Sequence, residues 1–379
     1  MSKLSDGEKM YISGCGAFEM GKENDAFFST YPELQAFSEN IVLLPEDPQE
    51  KHKGQWSLGN IKTLQQKLPQ TGIFTKKFVL IQGGCDSYCT FCLTVQKRWG
   101  HFYRSKEDIL EEILTAQRRD VQEVVLTWVN LCAWGLENTN EVWKSRFAEL
   151  LLYILENTDI PRIRISSLWP EFVDDAVLKV FENTRIYPHF HFSIQSGSES
   201  VLKQMKRHYG SEYMRNLLKK TRAIKRKDGV DISIGADIIV WFPGETEQDF
   251  VDTYNLVQDF QIGRLHAFPF SSHDFGEHVP AHFFKDQITD SVKKQRLQKL
   301  LELWEKNRDA FIQSQVGKTF EVLVEGKIQG ETWSGWTQNY IEADETNFQI
   351  LEWTIKRGHL IRGILLWKSQ KKTKEALID

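Results

Sequence analysis

The chain has 379 residues, 41% hydrophobic and 26% charged, with a formal net charge of −4. That length and balance admit two or three domains and a sizeable core. No apolar run approaches the ~18 residues of a membrane span, no signal peptide is evident, and five cysteines with a clustered trio do not make a disulfide framework. A soluble, monomeric protein of a reducing cytoplasm, with no membrane partner, is expected.

Residues 1–50 carry ten acidic and three basic side chains, and residues 51–77 carry six lysines and no acid. The stretch from Tyr11 to Phe18 reads as a strand ending in a cysteine turn, and 51–77, with Gly54, Gly59, Pro69 and Gly72, as a linker or exposed arm. From Lys76 the pattern alternates. Strands are predicted near 77–83, 122–129, 162–168, 189–195, 231–241 and 262–270, with amphipathic helices at 106–119, 143–157, 171–183, 198–226 and 246–260. Repeated βα units of this kind favour a parallel sheet closing into a full or partial barrel, with chemistry at the C-terminal strand ends. A long helix near 289–313 ends the barrel. Short β-like runs at 319–325, 339–342 and 360–366 then predict a small all-β barrel.

The first predicted strand delivers Gly83-Gly-Cys-Asp-Ser-Tyr-Cys-Thr-Phe-Cys92, which holds three of the five cysteines. Tetrahedral zinc wants four ligands, usually from two separated pairs. Three thiolates without an evident fourth suit a cubane iron–sulfur cluster with one open iron, to which S-adenosylmethionine can bind for cleavage to a 5′-deoxyadenosyl radical. Three unconnected thiols are the alternative. Phe91 would shield such a cluster on one side.

The strand followed by this cysteine loop resembles the start of a radical S-adenosylmethionine (SAM) barrel. Further stretches resemble the tRNA methylthiotransferases of that family: Leu126-Thr-Trp-Val-Asn-Leu131, Arg164-Ile-Ser-Ser-Leu168, His189–Gly197, Gly235–Glu245 and His266-Ala-Phe-Pro-Phe270. The resemblance implies an α/β fold with a partial N-terminal methylthiotransferase domain and linker (1–70), a radical SAM core built as a partial parallel (β/α) barrel (71–314), and a TRAM-like RNA-binding β-barrel (315–379). It implies a 4Fe–4S cluster on Cys85, Cys89 and Cys92, and SAM in a groove formed with Trp128, Asn130, Ser166, Gln195, Asp237 and Trp241. No catalytic residue beyond the cluster ligands is implied. Substrate and partners would be tRNA and an electron donor such as flavodoxin or ferredoxin. The motifs are most like the branch that methylthiolates C2 of N6-threonylcarbamoyladenosine beside the anticodon. Alternatives are the isopentenyladenosine branch, a ribosomal-protein substrate, and a catalytically impaired RNA-binding fragment.

The sequence departs from the family pattern in two ways. The family carries a second cluster on three N-terminal cysteines, and only Cys15 matches, as the last of them. That implies an incomplete auxiliary cluster and a chain that is a fragment of a longer protein. Trp99, Trp128 and Trp241 also stand where the family has glycine, used where backbone approaches a ligand. UGA codons read as glycine in the source, but translated here as Trp, would explain all three; genuine tryptophans are the alternative. Cys132 matches no family ligand and reads as a small buried hydrophobe.

Among the remaining residues, Arg98 and Arg104 flank the cysteine loop and read as anion contacts or solvated arginines. Glu245 reads as a helix-N-terminal acid. Residues 203–227 hold ten Lys and Arg against Glu212, a phosphate-binding or solvated face. Trp333, Trp336 and Tyr340 read as base-stacking or core aromatics.

Overall fold

The computed structural model describes residues 10–12, 41–43, 75–97, 101–136, 145–271, 279–285, 290–328, 332–351 and 356–366. Cys15, Arg98 and Trp99 lie outside them. The chain divides into two compact units, residues 1–73 with 96–100, and residues 74–95 with 101–379. In the first, β1 (Met10–Ile12) pairs in parallel with β2 (Ile41–Leu43), which matches the strand expected at Tyr11.

In the second unit, β3 (Lys77–Leu80) runs into β4 (Gln82–Gly83), which pairs with β5 (Phe102–Tyr103) on the far side of the cysteine loop. Five further parallel strands follow: β6 (Glu123–Thr127), β7 (Arg162–Ile165), β8 (His189–Gln195), β9 (Ser233–Val240) and β10 (Arg264–Pro269). They form two three-stranded parallel sheets, β3-β6-β7 and β8-β9-β10. A parallel bridge between Leu168 and Phe192 joins the two, with Leu168 N–H donating to His191 O at 2.7 Å. The spatial order therefore follows the sequence order through six strands, as expected for an open (β/α) barrel.

Alternation along each strand explains why it folds so. On β8, Phe190, Phe192 and Ile194 are fully buried in the core shared with the outer helices. His189, His191, Ser193 and Gln195 take the opposite face, toward the lumen. The helices are α1 (Thr94–Lys97), α2 (Lys106–Gln117), α3 (Phe147–Asn157), α4 (Asp175–Val180), α5 (Glu199–Gln204), α6 (Ser211–Ala223), α7 (Glu247–Asp259) and α8 (Asp290–Gln315). The single helix expected at 198–226 is two, broken where Lys206 takes φ = +57°. Gly197 has a packing reason: a Cβ there would meet Asp252 O and Thr253 Cα of α7 at 2.7 Å. Helix α8 closes the open edge, with Trp304 Nε1 donating to Gly263 O at 3.0 Å and Asn307 Nδ2 to Val257 O at 3.0 Å.

The C-terminal element is a curled five-stranded antiparallel sheet, in the order Glu342–Asp344, Thr332–Thr337, Thr319–Ile328, Leu360–Leu365, Phe348–Ile350, as a small β-barrel requires. Its core of Phe320, Val322, Trp333, Ile341 and Phe348 also takes in Val230 and Ile312. Among the described residues no helix is long and apolar enough to cross a membrane.

Candidate functional site

The rim formed by the C-terminal ends of the parallel strands carries the cysteine loop and five of the six residues expected at the cofactor groove. Strand β3 leads to the cysteine loop, β6 to Trp128 and Asn130, β7 to Ser166, β8 ends in Gln195, and β9 leads to Trp241. The loop is tied down on both sides. Gln82, fully buried, donates to Gly83 O and Gly84 O at 2.7 and 2.8 Å and accepts Asn130 N–H at 2.9 Å. Thr90 receives Ala281 N–H through its carbonyl at 2.9 Å, while its own N–H donates to Met205 O at 3.2 Å. Phe91 packs partly buried against Val201, Met205, Phe242 and Val279, an apolar wall beside the last cysteine.

Cys85 and Cys89 are buried and Cys92 is half-buried; all three are free thiols. Burial raises the Cys85 thiol and pushes Cys89 up to about 11, against the pull of the Arg207 guanidinium. A charge on the Cys92 sulfur would raise both thiols further. Among the described residues, the one group of metal-binding side chains whose ligand atoms all lie within 4.8 Å of one another is His191, Asp237 and His266. Three thiols on one loop, none in a disulfide, can serve a cluster that offers three separate irons.

The cofactor groove residues fall into two sets. Asn130 is fully buried, and neither its Nδ2 nor its Oδ1 has a protein partner among the described residues. Such a side chain is costly unless a ligand satisfies it. Gln195 is buried at a bulge with φ = +69°, a strain of about 1–3 kcal/mol that clusters at ligand sites. Ser166 is half-buried at the end of β7 and fixed by its N–H to Leu126 O at 3.1 Å. Asp237 is deeper in the lumen. It accepts His191 Nε2 at 2.8 Å and His266 Nδ1 at 3.3 Å; burial pushes its carboxyl upward, but these bonds outweigh that and hold it well below the usual carboxylate range.

Trp128 and Trp241 stand apart. Trp128 has φ = +138° and Trp241 φ = +71°, conformations that suit glycine and strain a bulky side chain. Trp128 is 38% exposed on the rim, whereas Trp241 is buried. At both positions the backbone takes a conformation that glycine adopts freely.

Other readings change. Glu245 is not merely a helix-N-terminal acid: it accepts Trp241 N–H at 2.9 Å and Arg296 Nη1 at 2.9 Å, and so closes the Pro243-Gly244 turn. Arg104 is buried on Glu112 at 2.7 Å and Leu80 O at 2.7 Å, so it serves the fold. Part of the basic run is engaged within the protein: Arg215 pairs with Asp259, Lys220 with Asp175 and Arg226 with Asp228, while Arg222 donates to backbone carbonyls. Lys203, Lys206, Lys219, Lys225 and Lys227 remain exposed. Tyr340 stacks on His189 at 4.7 Å, with the guanidiniums of Arg164 and Arg264 at 4.1 and 4.0 Å from its ring, and Trp333 is core. Cys132 is fully buried, as a small hydrophobe should be. A cavity of about 400 Å³ opens beside His189, Arg264, Trp304 and Tyr340, and none of the cysteines lines it.

Sequence reasoning missed Gln82, Glu171 and Arg207. Gln82 was hidden inside a strand, Glu171 carried no motif, and Arg207 was masked by the basic run.

Residues 79–257 match the family model of the Radical SAM superfamily. The chain thus carries a radical SAM domain, a class whose cofactors are a 4Fe–4S cluster and SAM. By sequence it groups with the radical SAM methylthiotransferases. It is 32% identical over 273 residues to the tRNA-2-methylthio-N(6)-dimethylallyladenosine synthase of Clostridium perfringens (strain SM101 / Type A), covering 70% of this chain and 59% of that protein. It is 36% identical over 253 residues to the synthase of the same name from Carboxydothermus hydrogenoformans, covering 66% and 55%. With the ribosomal protein uS12 methylthiotransferase RimO of Alkaliphilus oremlandii it shares 32% over 254 residues, covering 67% and 56%. The matches thus span little more than half the length of these relatives. Their names carry dimethylallyladenosine and uS12, not the threonylcarbamoyladenosine expected from the motifs. Among solved structures, coproporphyrinogen III oxidase (HemN) from Escherichia coli is similar at a TM-score of 0.45 and 13% identity, covering 73% of this chain and 70% of that one.

Proposed function

We propose that this protein is a tRNA methylthiotransferase that modifies C2 of an N6-dimethylallyl (isopentenyl) adenosine. The observation that supports this most is the three-cysteine loop at the head of a parallel barrel, in a chain at least 32% identical to named synthases of that nucleoside. A second reading, the threonylcarbamoyladenosine branch, rests on the His266-Ala-Phe-Pro-Phe270 strand, whose His266 faces Asp237 in the lumen. We also propose the division into 1–70, 71–314 and 315–379, with tRNA contacted through the last part and through the exposed lysines of 203–227.

The residues fit the class. Cys85, Cys89 and Cys92 would hold the cluster, and Asn130, Ser166 and Gln195 line the rim where SAM would lie. When bound, the pair supplies the carbon radical that an unactivated aromatic C–H demands, since such a bond offers neither an acidic proton nor a leaving group. The chain itself holds and shields. Gln82 fixes the entry to the loop, Phe91, Met205 and Phe242 keep water from one side, and Asn130 offers a donor and an acceptor to a polar ligand. Asp237, ionised and held by two imidazoles, offers an acceptor deeper in the lumen.

The test is expression in a bacterial strain that makes dimethylallyladenosine but cannot methylthiolate it, followed by mass spectrometry of tRNA nucleosides and of uS12. The chain is expressed as written and with Gly at 99, 128 and 241. Appearance of 2-methylthio-N6-dimethylallyladenosine supports the proposal. Its threonylcarbamoyl counterpart instead supports the second reading. A modified uS12 peptide alone, or no product even when the glycine form is extended by an N-terminal segment supplying two further cysteines, overturns both.

A further inference from the structure

Arg207 is buried against the cysteine loop, with its side chain 1% exposed. Its guanidinium has four separate anchors. Nη2 donates to Glu171 Oε2 and to Ser193 O, both at 3.3 Å, Nε donates to Tyr209 OH at 3.3 Å, and the plane lies over the Trp169 ring at 4.3 Å. Nη1 is left for sulfur, which it reaches at 3.4 Å on Cys89. Lys206, with φ = +57°, turns the chain immediately before it. A permanent cation has thus been taken out of the solvated basic face and pinned on one thiol by an equally buried carboxylate.

That placement has a consequence for electron transfer. Reduction of a thiolate-bound cluster adds one electron, and part of the added charge falls on the ligand sulfurs. A fixed cationic donor on one of those sulfurs, in a water-poor site, favours the reduced form. An arginine suits the task because it stays charged when buried and its fork divides between a carboxylate and a third party. Resting on the reading that Cys85, Cys89 and Cys92 hold the cluster, we propose that Arg207 is a positioning residue that sets its reduction potential through the Cys89 sulfur, with Glu171 holding the guanidinium in place. The step it governs is the uptake of one electron by the oxidised cluster from an external low-potential reductant, with no proton transferred.

The experiment is a spectroelectrochemical titration, followed by electron paramagnetic resonance, of the full chain after anaerobic reconstitution with iron and sulfide. Two variants remove the cation without stranding a lone buried carboxylate: Arg207→Met with Glu171→Gln, and Arg207→Gln with Glu171→Gln. Both should retain iron and sulfide while the one-electron reduction equilibrium falls at least tenfold, a midpoint 59 mV or more further negative. An unchanged midpoint in a variant with its cluster intact overturns the proposal. Loss of the cluster from both variants overturns it too, by making Arg207 a requirement for assembly. If the unsubstituted chain takes up no cluster, the underlying reading falls, and a cluster with an indifferent Arg207 is a different result from that.

Discussion

The backbone N–H of Trp241 donates to Glu245 Oε2 at 2.9 Å, closing a turn in which Trp241 itself has φ = +71°. The side chain on that turn is the bulkiest available, yet the backbone is one that glycine adopts freely. Trp128, with φ = +138°, repeats the mismatch at the end of β6.

Trp128→Gly should be more stable than Trp128→Ala, because both lose the same partly buried ring while only glycine releases the positive-φ strain, about 1–3 kcal/mol. Thermal unfolding of the two variants checks this, and a lower midpoint for the glycine variant would count against glycine as the fitting residue. Trp241 is buried in the main core, so Trp241→Gly trades strain against packing. Its expected gain is in SAM affinity, measured by calorimetry on the reconstituted protein. The source codons give an independent check: UGG at 99, 128 and 241 would exclude reassigned UGA.

Glu245 should make stability depend on pH. Burial pushes its carboxyl up to about 7, against the opposing pull of the Trp241 N–H and of Arg296. Its folded pKa lies above the unfolded value of 4.5, so the native state holds the proton longer. The corresponding stability is fully present below pH 4.5 and is lost as pH rises through about 7, by on the order of 1 kcal/mol per pH unit. Denaturant unfolding at several pH values should show this fall, flattened in Glu245→Gln. An equally steep fall in the variant would assign it to other groups.

Much of this was legible in the residues. Six strands with apolar alternation, such as Phe190, Phe192 and Ile194, stand where periodicity puts them, because one face of each must meet the outer helices. The cysteine spacing placed three thiols on one loop. Partner choice among charged residues was not legible. Whether Arg207 meets solvent or Cys89, and whether Arg104 meets a ligand or Glu112, depends on which strand end lies opposite, and that is set by the tertiary fold. The aromatics of the C-terminal sheet were ambiguous for the same reason.

Tyr340 joins that sheet to the barrel, between Arg164 and Arg264. Tyr340→Ala should destabilise the protein by about 1–3 kcal/mol through lost stacking and cation–π contact. A double-mutant cycle of Tyr340→Phe and Tyr340→Ala against Arg264→Met should give a coupling of about 0.5–2 kcal/mol that Phe largely keeps. Strict additivity would mean the ring does not bind the guanidinium.

The central claim is that Cys85, Cys89 and Cys92 hold a cluster that cleaves SAM. The most direct measurement is 5′-deoxyadenosine released under dithionite by the anaerobically reconstituted chain carrying Gly at 99, 128 and 241, with and without Cys89→Ala. The account predicts an absorbance near 400 nm, expected of thiolate-bound iron, together with deoxyadenosine from the parent, and the loss of both in Cys89→Ala. Deoxyadenosine produced undiminished by Cys89→Ala, or none from a parent that holds its cluster, would contradict it.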